Sequence, residues 1–499
     1  MPRETMRYYL LTGGTGLLGC YLLRDCQQAG LRFAVLARSS PLEPARQRVE
    51  GLMTRWEKLL GYALPRPVVL EGDICEPNLG LSPEQVQWVA RNCRGVIHSA
   101  ASLTFQTTRD NEPWRSNIEG TQHVLNLCRE TGLQEMHHVS TAYVCGLRTG
   151  RTLETELDVG QAMGNDYETS KVRSEKMVRE FGFRSLTVYR PAIIIGDSKT
   201  GYSTTFHGFY APLKVALGIV SRSQPGTEHM PTMMDALALQ GTEHKNFVPV
   251  DWVGAAMAHI LRNPNLHGQT YHFAPNNRVT VREVAAAISQ EIYAAAAKNP
   301  QQFFRSAAPA SAESTALLQK TFREQLAVYQ SYWRDDPEFD MTNTHRAVPH
   351  LPCPEITPEM LSRMCRYALE ANFGWPRTRS EAPPFDVHQH LSALPHPAQP
   401  VQDAHSLGLQ VNGQGGGQWE IRLSGGRVLD VREGIAPECS AIFYLNSHTF
   451  LQLTMQQYTV QHSLRTGQML IEGNGLPVDR LVDALQQTVS GGNLSSNTI

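Results

Sequence analysis

A phenol and an ammonium stand four residues apart in Tyr167-Glu168-Thr169-Ser170-Lys171. On a helix, side chains at that spacing share one face. A phenol ordinarily holds its proton up to a pH of about 10, and a neighbouring ammonium stabilises the phenolate. The pair can therefore pass a proton to or from a carbonyl oxygen near neutral pH. Taken alone, the spacing equally fits an exposed surface pair. A hydroxyl is available upstream, in His137-His138-Val139-Ser140-Thr141-Ala142-Tyr143-Val144, where an apolar run ends. There Thr141, or alternatively Ser140, could bond a substrate oxygen, or could bond its own backbone.

A cofactor cradle precedes both. Tyr8–Leu11 is an apolar run, followed by Thr12-Gly13-Gly14-Thr15-Gly16-Leu17-Leu18-Gly19 and then helical apolar spacing at Leu18, Leu22 and Leu23. Glycines permit a tight turn and bring backbone N–H groups close to a pyrophosphate, and the helix aims its positive end at the same anion. Strand, glycine turn and helix in that order predict a dinucleotide site; the same turn without a ligand is the bland alternative. Further candidate strands are Phe33–Ala37, Val68–Leu70, Val96–His98, Met136–Val139 and Leu186–Tyr189, alternating with helical patterns. That alternation predicts a doubly wound parallel sheet covered on both faces, with right-handed crossovers.

The remaining chain divides by composition. With 499 residues it exceeds one ordinary core. From about residue 201 to 375 the pattern is irregular and suits a substrate part, with helices at Val253–Leu261 and from Thr280, and a mostly helical stretch over 310–370. Pro376, Pro383, Pro384, Pro395, Pro397 and Pro400 mark residues 376–400 as a linker. Its His388, His390 and His396 read as solvated, because no cysteine or carboxylate cluster completes a metal site. Residues 401–499 read as a separate α+β domain. It has a hairpin over Trp419–Leu423 and Val428–Val431, strands at Ala441–Leu445 and Met469–Ile471, and a last helix striped by Leu481, Val482, Leu485 and Val489.

Hydrophobic content of 41% and charged content of 18% fit a soluble globular protein, and a formal charge of −2 gives no footprint for nucleic acid. The nine cysteines are scattered without C-x-x-C, so reduced thiols are expected. No stretch is long and apolar enough to span a bilayer. The opening Met1-Pro2-Arg3-Glu4-Thr5 leaves no room for a signal peptide, which gives a cytoplasmic expectation.

Glycine turn, hydroxyl and Tyr/Lys pair in this order resemble the extended short-chain dehydrogenase/reductase superfamily, over roughly residues 7–375. The resemblance implies a Rossmann domain and assigns Thr141, Tyr167 and Lys171 as catalytic. It implies cofactor contacts at Gly13, Thr15, Gly16, Leu17, Leu18 and Gly19, at Asp73 and Ile74 beside the adenine, and at Ala100 and Ala101 after the fourth strand. Asn117 matches a helix residue that supports the lysine, Lys171 bonds the nicotinamide ribose, and Arg190-Pro191 stands beside the nicotinamide. After the second strand, Leu36-Ala37-Arg38-Ser39-Ser40 lacks the acidic residue that binds a ribose 2′-hydroxyl. Arg38 and two hydroxyls suit a 2′-phosphate, so NADP(H) is expected. Arg48 resembles a second clamp on that phosphate or is a surface arginine.

Val96–Phe105 and Tyr189–Gly201, with Gly196-Asp197-Ser198-Lys199-Thr200-Gly201, look like the thioester reductase and fatty acyl-CoA reductase branch. Residues of about 400–490 resemble the sterol carrier protein type of lipid-transfer domain, which surrounds an apolar tunnel. Together they imply NADPH-dependent reduction of a fatty acyl thioester to the aldehyde, and on to the alcohol with a second NADPH. The acyl group is expected to arrive on coenzyme A or on a separate carrier protein, with a lipid held by the C-terminal domain. A hydroxysteroid or lipid-alcohol dehydrogenase and a non-catalytic NADP-sensing lipid binder are the rival readings. No catalytic cysteine is required, so Cys145 reads as packing.

Overall fold

In a parallel strand buried on both faces, alternate side chains feed two separate cores. The computed structural model describes residues 8–220, 239–298, 333–374, 385–394, 405–413, 415–424, 427–436 and 439–473, and positions 482–483, 485–486 and 488–489. Strands β1 (Tyr8–Thr12), β2 (Phe33–Ala37), β3 (Val68–Glu71), β4 (Cys93–His98), β5 (Glu135–Val139), β6 (Ser185–Pro191) and β7 (Thr270–Phe273) form one seven-stranded sheet in the order β7-β6-β5-β4-β1-β2-β3. Every neighbouring pair is parallel. Tyr9, Leu11, Phe33, Val35, Val69 and Ile97 enter one core, while Tyr8, Leu10, Ala34, Leu36, Val68 and Val96 enter the other.

Helices cover both faces: α1 (Leu17–Gln28), α2 (Ala45–Leu60), α3 (Pro83–Asn92), α4 (Gly120–Thr131) and α5 (Asp166–Glu180). The chain passes from β1 outward to β3 and then crosses to β4 on the other side of β1. That reversal opens a crevice at the carboxyl ends of β1 and β4.

The six strands expected from sequence all form, Phe33–Ala37 with the expected bounds and the others one to three residues longer. β7 went unread, and with it the division at residue 201. Helix α6 (Tyr210–Val220) and the short parallel pair Ile193–Ile195 with Phe247–Pro249 lie in the substrate part. The chain then returns to the nucleotide sheet through α7 (Val250–Arg262) and β7. Within residues 310–370, those up to 332 lie outside the described residues. From 333 the chain is irregular apart from a short strand at Glu338–Phe339, a short helix at Thr342–Ala347 and the helix α8 (Pro358–Glu370).

Residues 385–394 do not form a solvated linker. Val387–Ser392 is a helix capped by Asp386, and Val387, Leu391 and Leu394 join the C-terminal core. His390 is buried against Phe385 and Phe450, so its solvated reading is corrected; His388 is half-exposed beside Trp419 and Glu433. The prolines at 376, 383, 384, 395, 397 and 400, and His396, lie outside the described residues. None of the nine cysteines forms a disulfide. No helix among the described residues is long and apolar enough to cross a membrane.

The C-terminal domain is a five-stranded sheet of β8 (His405–Asn412), β9 (Gly417–Ser424), β10 (Arg427–Glu433), β11 (Ala441–Asn446) and β12 (Met469–Gly473), in the order β10-β9-β8-β11-β12. It docks on the amino ends of the nucleotide strands. Tyr444, Ile442 and Leu470 pack into the core holding Tyr8 and Trp88, and the Asn412 amide donates to the Pro67 carbonyl at 3.0 Å. Glu472 accepts from Tyr444 at 3.0 Å and faces Tyr8 and Arg32.

Beneath α5, Arg190 at the end of β6 and Glu175 form an ion pair of 2.6 Å with both side chains fully buried. Arg190 also donates to the carbonyls of Glu154 and Glu156 at 3.3 and 2.6 Å. Replacement Arg190→Met leaves the buried Glu175 carboxylate with Arg179, 2.7 Å away, as its remaining ion-pair partner, and breaking buried pairs costs about 3–5 kcal/mol. A denaturant melt should register a loss of that size; a shift below about 1 kcal/mol would deny the pair its structural role.

Candidate active site

Helix α5 carries both members of the Tyr167/Lys171 pair. Asn165 caps it, accepting from the Glu168 amide at 2.9 Å, and Asp166 and Glu168 complement its positive end. A second tie comes from the π-helical turn Arg115–Glu119, where Asn117 is buried. Its amide donates to Ser170 Oγ at 2.9 Å and to the Ser102 carbonyl at 3.0 Å. Asn117 thus braces the residue next to Lys171, and its recorded bonds do not reach the lysine itself.

Thr141, Tyr167 and Lys171 line one cavity of about 290 Å³, with Gly13, Gly16, Leu17, Leu18, Gly19, Ala101 and Pro191 in the same wall. Ser140 lines it too, but the hydroxyl that hydrogen-bonds Tyr167 belongs to Thr141. Thr141 Oγ1 also accepts from the Tyr143 amide at 3.2 Å, so the residue is both a backbone cap and a partner of the phenol. Lys171 donates to the Val139 carbonyl at 2.9 Å.

The electrostatics differ from a simple acidified phenol. Burial pushes Tyr167 up to about 12, against the Thr141 hydrogen bond. Burial brings Lys171 down to about 8, opposed by the charge of Glu175. At neutral pH the phenol therefore keeps its proton and the amine its charge. His98 bonds Thr12 and Thr121 at 2.8 and 3.1 Å, and burial and the Lys171 charge push it down to about 3, leaving it neutral. The Cys145 thiol is raised by burial to about 12, in keeping with a packing role.

The glycine turn fits a pyrophosphate. Gly13 has φ +75°, and a Cβ there would lie 2.6 Å from the Ala100 nitrogen. No side chain caps the first turn of α1, so its N–H groups are left for an anion. Outside the cavity, Arg48 links the turn to the loop after β2, donating to Thr15 Oγ1 at 3.1 Å and to the Arg38 carbonyl at 2.6 Å. The Arg38 side chain is 70% exposed and lies 3.4 Å from Asp73. Ile74 packs its side chain where a Gly120 Cβ would stand, inside the core. Arg190, expected beside the nicotinamide, turns away into the buried pair with Glu175, and Pro191 alone of that couple reaches the cavity.

Comparison with known proteins points the same way. Residues 11–257 match the NAD-binding family described as Male sterility protein. The Male sterility match runs from the glycine turn into α7, so it takes in all three catalytic candidates. An aldehyde reductase, lnaA of Aspergillus flavus, is 27% identical over 400 residues, which are 73% of this chain and 36% of that protein. The nonribosomal peptide synthetase asaC of Aspergillus flavus is 27% identical over 280 residues, which are 53% of this chain and 26% of that protein. Each of these matches thus takes in well under half the length of the curated relative.

Among solved structures, the terminal R domain from the myxalamid PKS-NRPS pathway superposes with a TM-score of 0.56 at 24% identity, covering 74% of this chain and 92% of that one. A thiolation-reductase di-domain from an archaeal non-ribosomal peptide synthetase gives 0.51 at 17% identity, covering 74% and 76%. These likenesses agree with the fold described above.

Sequence reading missed part of the lining. Leu103, Phe105, Tyr143, Ile193, Ile194 and His207 also line the cavity. Only the run Ala192–Ile195 hinted at this, since apolar residues with no strand partner in the main sheet need another surface to cover. Tyr143 is fixed from behind by Asp336, which accepts its hydroxyl at 2.5 Å and pairs with buried Lys245 at 2.5 Å. Gly13→Ala would drive a methyl into the Ala100 backbone at a left-handed φ. Fluorescence titration with NADPH should show binding weakened by about tenfold or more, and unchanged binding would remove the turn from the nucleotide site.

Proposed function

We propose that this chain reduces an acyl thioester to the aldehyde with NADPH. The observation that carries the reading is a protonated Tyr167, hydrogen-bonded to Thr141 and near Lys171, in a cavity with an apolar wall. The names of the relatives support it: one is an aldehyde reductase, and others are synthetases or reductase domains, one of them joined to a thiolation domain.

Bound NADPH would supply the hydride that reduces the carbonyl. Gly13, Gly16 and the start of α1 would hold its pyrophosphate, Lys171 its ribose, and Arg38 and Arg48 its 2′-phosphate. Tyr167 donates its proton to the carbonyl oxygen as negative charge develops there, and Thr141 holds that oxygen with a second hydrogen bond. A phenol raised to about 12 by burial holds its proton at neutral pH and so can donate it to the developing alkoxide. The hemithioacetal then loses its thiol and leaves the aldehyde. The apolar wall accommodates an acyl chain, carried on coenzyme A or on a carrier protein. We assign the C-terminal domain to lipid holding, as its resemblance implies. Docked at the amino ends of the strands, it would store a chain apart from the reaction centre.

With NADPH and a long-chain acyl-CoA, thiol should appear as NADPH is consumed, and Tyr167→Phe should lose at least about a hundredfold in kcat while still binding NADPH. The rate should fall as pH rises through about 8, where Lys171 gives up its proton. Turnover restricted to ketones or secondary alcohols would instead favour the dehydrogenase reading, and binding without turnover the sensor.

Cofactor choice has its own test. Arg38→Asp should weaken NADPH by about tenfold or more while leaving NADH nearly unaffected. Equal effects on the two would rule out a 2′-phosphate clamp at Arg38.

A further inference from the structure

At the end of the sheet opposite the catalytic cavity, three metal-ligating side chains meet that have no part in the reaction. Glu135 and His137 alternate on β5 and so share a face, while His267 arrives from the loop before β7. His137 Nε2 lies 3.1 Å and His267 Nδ1 3.5 Å from the same oxygen, Glu135 Oε1. The donor atoms of all three lie within 4.8 Å of one another. Ligand atoms on one tetrahedral zinc are about 3.3 Å apart, given metal–ligand distances of about 2.0–2.1 Å. Two of the three separations bracket that value.

Hydrogen positions sharpen the point. His267 Nε2 faces the carbonyl oxygens of Ile260 and Leu261 at 3.1 and 3.3 Å. Carbonyls only accept, so Nε2 carries a hydrogen and Nδ1 is the nitrogen that faces the carboxylate. A cation, either a proton or a metal ion, belongs between the two. His137 is braced in the same manner, its Nδ1 3.0 Å from the Tyr189 hydroxyl. Metal-bound imidazoles characteristically have their second nitrogen held by a carbonyl or another polar group.

The carboxylate is prepared as well. Arg94 and Tyr9 hold it in place. Arg94 lies 3.3 Å from the other oxygen, Oε2, which leaves Oε1 as the ligand. Tyr9 donates to Oε1 at 2.6 Å.

We propose that Glu135, His137 and His267 bind one divalent cation of the zinc class, with water as fourth ligand, tying the loop before β7 to β5. Imidazole and carboxylate donors suit zinc and cobalt better than magnesium or calcium. The ligands are absent from any local sequence pattern because the third comes from a distant segment.

Cobalt(II), used as the probe on the full chain, should bind at one equivalent per chain with a ligand-field spectrum and no thiolate-to-metal charge-transfer band. His267→Gln keeps a donor for the Ile260 carbonyl but lacks Nδ1. It should weaken binding by at least about tenfold, with an unchanged circular dichroism spectrum and an unchanged melting temperature in chelator. Glu135→Gln should weaken it likewise. Failure to bind micromolar cobalt, a thiolate band, or equal affinity in His267→Gln and the parent would each overturn the assignment, the first leaving a proton on His267 in the cation's place.

Discussion

The catalytic geometry rests on a buried charge pair. Both side chains of Glu175 and Arg190 are fully buried, so their charges are balanced by each other and by Arg179, which also reaches Glu175 at 2.7 Å. Burial would raise the Glu175 carboxyl, yet the Arg190 guanidinium holds it below the usual range. That charge in turn sustains the ammonium of Lys171 one turn earlier on α5. The same guanidinium gathers the carbonyls of Glu154 and Glu156, so one residue fixes the helix, the strand and the loop beside the site. Thr141 and Pro191 are placed by the strands that this pair locks to α5.

The nucleotide half of the protein was legible because its elements are repetitive and its chemistry is local. Doubly buried strands advertise themselves as short apolar runs, and a Tyr/Lys spacing of one turn needs no tertiary knowledge. What escaped is what long-range packing decides. β7 was unread because His272 interrupts its apolar pattern, and that ring is buried under Arg190 and the Asp340 carbonyl. Arg190 followed a strand into the expected neighbourhood, but alternation pointed it to the opposite face. The loop histidines read as solvated for want of nearby partners, yet His390 belongs to a helical turn whose neighbours Val387 and Leu391 are core residues.

Charge and environment also altered the expected chemistry. An ammonium near a phenol suggested easy ionisation. In this site the ammonium is committed to the Val139 carbonyl and the phenol to Thr141, and the shared burial acts on each separately. The result is a phenol that keeps its proton at neutral pH beside an amine that keeps its charge.

The seam between the two domains has a geometric consequence. Besides Glu50 on α2 and Trp88 on α3, the C-terminal domain touches Tyr8, Arg32, Pro65 and Pro67, which lie at or just before the starts of strands. Its bulk is therefore kept away from the rim formed by the strands' carboxyl ends. Among the described residues, a bulky carrier with a flexible tethered thioester could approach that rim without displacing the neighbouring domain. The length of the tether, rather than a rearrangement of the two domains, would then set which substrates can reach Tyr167.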